Sequence, residues 1–150
     1  KRINKINNIM IIKTLSIILI FIFTVVPACS ENLDYWMEKG KNLVKEMKFE
    51  EALPCWDKAL AIDSKHRDAW DCKGLTLYHL KKYKEAIECF DKAIEIDPAF
   101  SYGWCDKGQA LKALGRYKEA IECFDKALSI NPSDKFSKQF REESLKLLNK

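Results

Sequence analysis

Six cysteines and two histidines are the residues of this chain with the most chemistry to offer, as nucleophiles, metal ligands or halves of disulfides. Their spacing restricts that chemistry. Cys55, Cys89 and Cys123 lie 34 and 34 residues apart, so they mark the same place in successive units instead of forming pairs. Equivalent atoms of stacked helices sit about 8–10 Å apart, whereas a disulfide needs α-carbons within about 7 Å. These three cysteines are therefore expected to stay unbridged, as small apolar side chains at helix interfaces. No Cys-x-x-Cys occurs, and only His66 and His79 could assist a cysteine, so neither a metal nor any other cofactor is expected. The chain has no GxSxG, HExxH or phosphate loop, and its acids follow a helical period with lysine partners, as solvated faces do. No catalytic residue is expected and the chain does not read as an enzyme.

Cys29 is a separate case. Residues 1–13 carry Lys1, Arg2, Lys5 and Lys13 without an acid; the apolar run LSIILIFIFTVV follows, then Pro27, Ala28, Cys29 and Ser30. A charged, then an apolar, then a small-residue segment is the layout of a secretory signal. The uncharged window from Thr14 to Ser30 has 17 residues, short of the roughly 20 that span a bilayer. Val26-Pro27-Ala28-Cys29 resembles a lipobox, which implies lipidation of the Cys29 thiol. Residues 1–30 thus read as a signal peptide or membrane anchor that exports the rest, tethered or secreted, to the outer face of a membrane. Plain cleavage, an uncleaved anchor, or a spurious leader preceding an intracellular protein are the alternatives. Loss of Cys29 to lipid would leave five cysteines and at least one free thiol, which a reducing setting would also explain.

Beyond residue 30 the charge is balanced. All 22 acids lie at Glu31 or later, matched there by 22 of the 26 basic residues, so the net charge of +4 belongs to the leader. Binding to nucleic acid needs a net basic stripe, and none is expected here.

The elements that must position these residues are written in the repetition. YKEAIECFDKA runs from Tyr83 to Ala93 and returns from Tyr117 to Ala127. At a period of 34, Trp36, Trp70 and Trp104 align, as do Gly40, Gly74 and Gly108. Ala52, Ala86 and Ala120 follow, then Trp56, Phe90 and Phe124, then Ala59, Ala93 and Ala127, and last Pro98 and Pro132, with Ser64 in the first unit. Trp70, Gly74 and Leu77 share one helical face, and a second helix begins near Tyr83. Each unit is a helical hairpin whose glycine is expected to pack against the alanine of its own second helix, with Trp and Phe beside the contact. One hairpin cannot cover its own apolar stripe, so the units must stack.

The pattern resembles the tetratricopeptide repeat, with units at 33–66, 67–100 and 101–134; Lys39, Lys73 and Lys107 stand where the family usually has leucine. The resemblance implies an all-α fold: a right-handed superhelical α-solenoid of three stacked hairpins. Residues 135–150, with Phe136, Phe140, Leu147 and Leu148, are expected to form a capping helix, apolar toward the third unit. The resemblance further implies that the first helices line a concave groove that binds a peptide or partner helix. The groove positions are Asp34, Met37 and Lys41 in the first unit, Asp68, Asp71, Leu75, Tyr78 and His79 in the second, and Tyr102, Cys105, Gln109 and Lys112 in the third. Family members that grip chaperone C-terminal tails use basic and amide side chains at places held here by Met37, Lys41, Cys72, Tyr102 and Asp106. Only Lys41 suits that task, so chaperone-tail binding is not expected. The functional expectation is a protein-binding module without catalysis; a self-associating scaffold is the alternative.

Overall fold

The computed structural model describes residues 32–150. The leader and Cys29 lie outside the described residues. Seven helices follow one another: α1 (Leu33–Lys45), α2 (Phe49–Ile62), α3 (Arg67–His79), α4 (Tyr83–Ile96), α5 (Ser101–Ala113), α6 (Tyr117–Ile130) and α7 (Lys135–Leu148). Three hairpins, α1–α2, α3–α4 and α5–α6, are followed by a final helix. No helix among the described residues is long and apolar enough to cross a membrane.

Local chemistry sets the ends. Asn32 Oδ1 accepts from the Tyr35 N–H (2.9 Å), His66 Nδ1 from the Ala69 N–H (3.1 Å), and the Asp134 carboxylate from the Phe136 and Ser137 N–H groups. Each satisfies donors that a helix start leaves open. Within each hairpin the turn is three residues long, with a left-handed central residue: Met47 (φ 60°), Lys81 (φ 60°) and Gly115 (φ 75°). The N–H groups of Met47 and Lys48 return to the carbonyls of Val44 and Leu43, and the other two turns repeat this pattern. That is the Schellman closure of a helix.

Between hairpins the device is different. Asp63, Asp97 and Asn131 leave the helix with extended backbones, and each side-chain Oδ1 accepts from the N–H two residues on, in Lys65, Ala99 and Ser133. The Trp70 indole N–H donates to the Ser64 carbonyl (2.9 Å) and that of Trp104 to the Pro98 carbonyl (3.2 Å). The repeated tryptophan therefore does more than fill space: half-buried at Trp70 and Trp104, it latches the turn before its own helix.

The core consists of recurring contacts. Ala52, Ala59, Ala86, Ala93, Ala120 and Ala127 are fully buried, with Trp56, Phe90 and Phe124 beside them. The recurring glycines face those rings directly: a Cβ on Gly40, Gly74 or Gly108 would come within 2.7, 2.6 or 2.6 Å of Trp56, Phe90 or Phe124. The expected glycine-to-alanine contact is corrected accordingly, because the ring of the second helix reaches across to lie against the backbone of the first. Trp56 additionally donates to Thr76 Oγ1 (2.9 Å), whose hydroxyl donates to the Cys72 carbonyl (2.7 Å), tying the first unit to the second. Pro54 lies inside α2, on its exposed side.

The three lysines that depart from the family pattern acquire partners. Asp57 pairs with Lys73 (2.6 Å), Asp91 with Lys107 (2.5 Å), and Asp125 with Arg141 (2.5 Å), each bond joining a second helix to the first helix of the next unit. Arg141 lies 34 residues after Lys107, so α7 continues the register as the first helix of a fourth unit.

Its apolar residues do not all face inward as expected. Phe140 packs on Phe124 with ring centroids 6.0 Å apart. Phe136, Leu147 and Leu148 are exposed; the inner side of α7 is instead made by the buried Ser137 and Ser144. Small hydroxylated side chains serve there because their Oγ atoms bond to Asp134 Oδ2 and to the Phe140 carbonyl.

Candidate functional site

First helices of consecutive units touch one another: α1 meets α3, α3 meets α5, and α5 meets α7. The second helices α2, α4 and α6 make no such contacts among themselves. A two-layer array whose layers are unequally close must curve toward the tighter one, so the first helices form the concave face. This face carries every groove position expected from the sequence, but at different depths. Asp34, Lys41, Asp68, His79 and Tyr102 are exposed; Asp71, Leu75, Tyr78, Gln109 and Lys112 are half-buried; Met37 and Cys105 are buried and belong to the packing beneath.

Between α3 and α5 the face hollows into a recess of about 130 Å³ lined by Leu75, Tyr78, His79, Phe90, Asp106 and Gln109. Aromatic rings shape its rim: His79 stacks on Phe49 with centroids 4.8 Å apart, and Tyr78 meets both His79 and Tyr83 edge-on. A larger hollow of about 550 Å³, lined by Ser64, Lys65, Trp70, Lys92, Glu95 and Ile96, lies away from these residues. The Lys92–Glu95 pair on its wall already satisfies the polar groups there.

The electrostatics of the groove centre on Asp71 and Asp106. Burial raises the Asp106 carboxyl to about 7, helped by the charge of Asp71 and opposed by a hydrogen bond from Gln109 Nε2 (3.1 Å). Burial likewise raises Asp71 to about 6, with Asp68 adding and Arg67 subtracting. Asp71 Oδ1 is buried without a hydrogen-bond partner. Arg67 bridges Asp68 and Asp97 and lies 4.4 Å from the Phe100 ring centroid. Lys112 pairs with Glu143 of α7 (2.7 Å).

Asp106 entered the sequence reading only as a misfit in a chaperone clamp, and Phe136 only as part of a cap. The signal that could have promoted both is register: each lies 34 residues from another position on the groove face, Asp106 from Cys72 and Phe136 from Tyr102.

The cysteines offer little reactivity. Cys55, Cys72, Cys89, Cys105 and Cys123 are free. Burial pushes the last four up to about 11, which disfavours the thiolate that nucleophilic or metal chemistry would need. Among the described residues no three His, Cys, Asp or Glu side chains gather to hold a metal ion.

Comparison with known proteins agrees with this geometry. Residues 68–100 and 101–134 match the family model "Tetratricopeptide repeat", and these segments are tetratricopeptide repeats. No match was found among curated protein sequences. Among solved structures, the chain is similar to the first TPR of Spaghetti (RPAP3) bound to the HSP90 peptide SRMEEVD. The two are 21% identical over 81% of this chain and 96% of that one, with a TM-score of 0.77. The second TPR domain of human RPAP3, in complex with the HSP70 peptide SGPTIEEVD, gives 24% identity over 73% and 92%, with a TM-score of 0.71. YrrB, a TPR protein with an unusual peptide-binding site, gives 25% identity, 78% and 60%, and 0.73.

These likenesses overturn the expectation that chaperone-tail binding is not to be expected. That expectation rested on five side chains, yet grooves of this curvature at about this level of identity hold such tails in other proteins. Five positions are too few to exclude a ligand whose carboxylates can meet other cations on the same face, such as Lys45 and Lys112.

Proposed function

We propose that this chain is a non-catalytic interaction module that holds a peptide, or one helix of a partner protein, across the concave face of α1, α3 and α5. The observation that carries this reading is the recess between α3 and α5, where apolar walls from Leu75, Tyr78 and Phe90 surround converging polar groups of His79, Asp106 and Gln109. An apolar cleft with a few placed polar groups suits a side chain of an extended ligand. The test is titration of the protein with labelled peptides, SRMEEVD and SGPTIEEVD among them because similar domains hold them. Saturable binding of at least one peptide, weakened about tenfold or more by Leu75→Glu, is the expected outcome. Failure of every peptide, or indifference to Leu75→Glu, overturns the reading.

The place where the module works is a separate proposal. The leader supports export, with the module tethered through lipid on Cys29. Five free thiols favour a second reading, an adaptor kept in a reducing compartment. The intact mass of the mature protein separates them, since lipid addition, plain cleavage and retention give three different masses.

A further inference from the structure

Four positions at the 34-residue period read, in chain order, Asp34, Asp68, Tyr102 and Phe136. They occupy the first turns of α1, α3, α5 and α7, and the contacts between those helices set them in one row across the concave face. All four are exposed, Tyr102 and Phe136 by 62% and 67%. The row is therefore acidic over the first two units and aromatic over the rest.

Neighbouring groups reinforce both halves. Asp71 lies one turn further along α3 from Asp68. Arg67 is shared between Asp68 and Asp97, so its single charge leaves the cluster negative. Lys41 and Lys45 stand seven and eleven residues beyond Asp34 on α1, about 10 Å or more along the helix. On the aromatic side Phe100 meets Tyr102 edge-on, with centroids 6.1 Å apart, and Phe136 stacks toward Phe140 at 6.4 Å. Large rings held in register and left in solvent are anchors awaiting a partner's apolar side chains.

The spacing selects the ligand's conformation. Packed helices lie about 8–10 Å apart. A polyproline II segment rises about 3.1 Å per residue with three residues per turn, so every third side chain points the same way at about 9 Å intervals. Four such side chains can meet the four positions.

We propose that the occupant of the groove is an extended polypeptide segment with two basic and two apolar side chains at three-residue intervals, the basic pair over Asp34 and Asp68 and the apolar pair over Tyr102 and Phe136. This rests on the groove-binding reading above and deepens it. The probe is a fluorescent KAPKAPFAPF peptide and its reverse, since the row does not fix chain direction, alongside EAPEAPFAPF and KAPKAPAAPA and their reverses. At low salt the first sequence, in one direction, binds at least about tenfold more tightly than its glutamate and alanine twins. Asp68→Lys shifts the preference toward the glutamate twin. Tyr102→Ala and Phe136→Ala each weaken binding with an unchanged melting curve, since both rings are exposed. Equal binding of the lysine and glutamate twins, or indifference to Asp68→Lys and to both alanine variants, overturns the inference. If the chaperone-tail peptides still bind and still respond to Leu75→Glu, only this inference falls; if no probe of either set binds, the groove-binding reading falls with it.

Discussion

Asp71 and Asp106 retain protons at a pH where ordinary aspartates have lost them, because each is desolvated on the inner face and each repels the other's charge. Folded-state values of about 6 and about 7 exceed the usual 3.8, so the folded chain binds protons more tightly than the unfolded one. Stability is then greatest below these values and falls as pH rises from about 4 through 7. The groups facing the pair are Asp68 and Arg67 on α3, Gln109 on α5, and Asp134 at the start of α7; only Arg67 opposes the trend with a positive charge. Asp106→Asn is expected to raise the melting temperature at pH 8, to change it little at pH 5, and so to flatten the slope between them. The effect is of the order of 2–3 kcal/mol. Parallel pH profiles for the two proteins would show that Asp106 is not protonated in the fold.

At the scale of elements, three similar hairpins close with different residues at one demanding place. Met47, Lys81 and Gly115 all take positive φ, but only glycine does so without crowding its own Cβ. The other two turns persist because the Schellman bonds and the packing of the flanking helices hold them there. Lys81→Gly should relieve that strain, stabilise the chain by about 1 kcal/mol, and raise the melting temperature by a few degrees. A fall in melting temperature would mean that the loss of backbone entropy in the unfolded chain outweighs the relief.

At the scale of the whole molecule, the ends of the array differ from its middle. In α3 and α5 the side that meets the preceding unit carries the buried Ala69 and Thr76, then Gly103 and Ala110; in α1 the same places hold the exposed Tyr35 and Asn42. In α7 the places of the repeated Trp and Gly hold Lys138 and Glu142, both exposed, so α7 offers no seat for an aromatic like Phe124. It closes the stack without starting another hairpin. Deleting residues 135–150 would uncover Phe124, which is fully buried, and break the Asp125–Arg141 and Lys112–Glu143 pairs. The truncated chain should melt earlier, bind a hydrophobic dye and associate with concentration, as arrays without a polar cap do. Unchanged melting and mass in solution would show that the third hairpin stands without it.

The 34-residue period by itself determined the helical hairpins, their number and the recurring small residues, because each unit meets nearly the same neighbours and selection on one contact is written at every copy. Trp36, Gly74 and Phe90 could be placed on packed faces from spacing alone. Depth and pairing were decided only by the tertiary arrangement. Met37 and Cys105 share a helical face with Asp34 and Tyr102, yet curvature buries the first two and leaves the others in solvent. Lys73 and Lys107 read as departures until the next unit brought Asp57 and Asp91 to them. Periodicity records which residues face the same way along one helix. How far a face sinks, and which charge arrives opposite it, depends on the distance and tilt between helices, which no single helix contains.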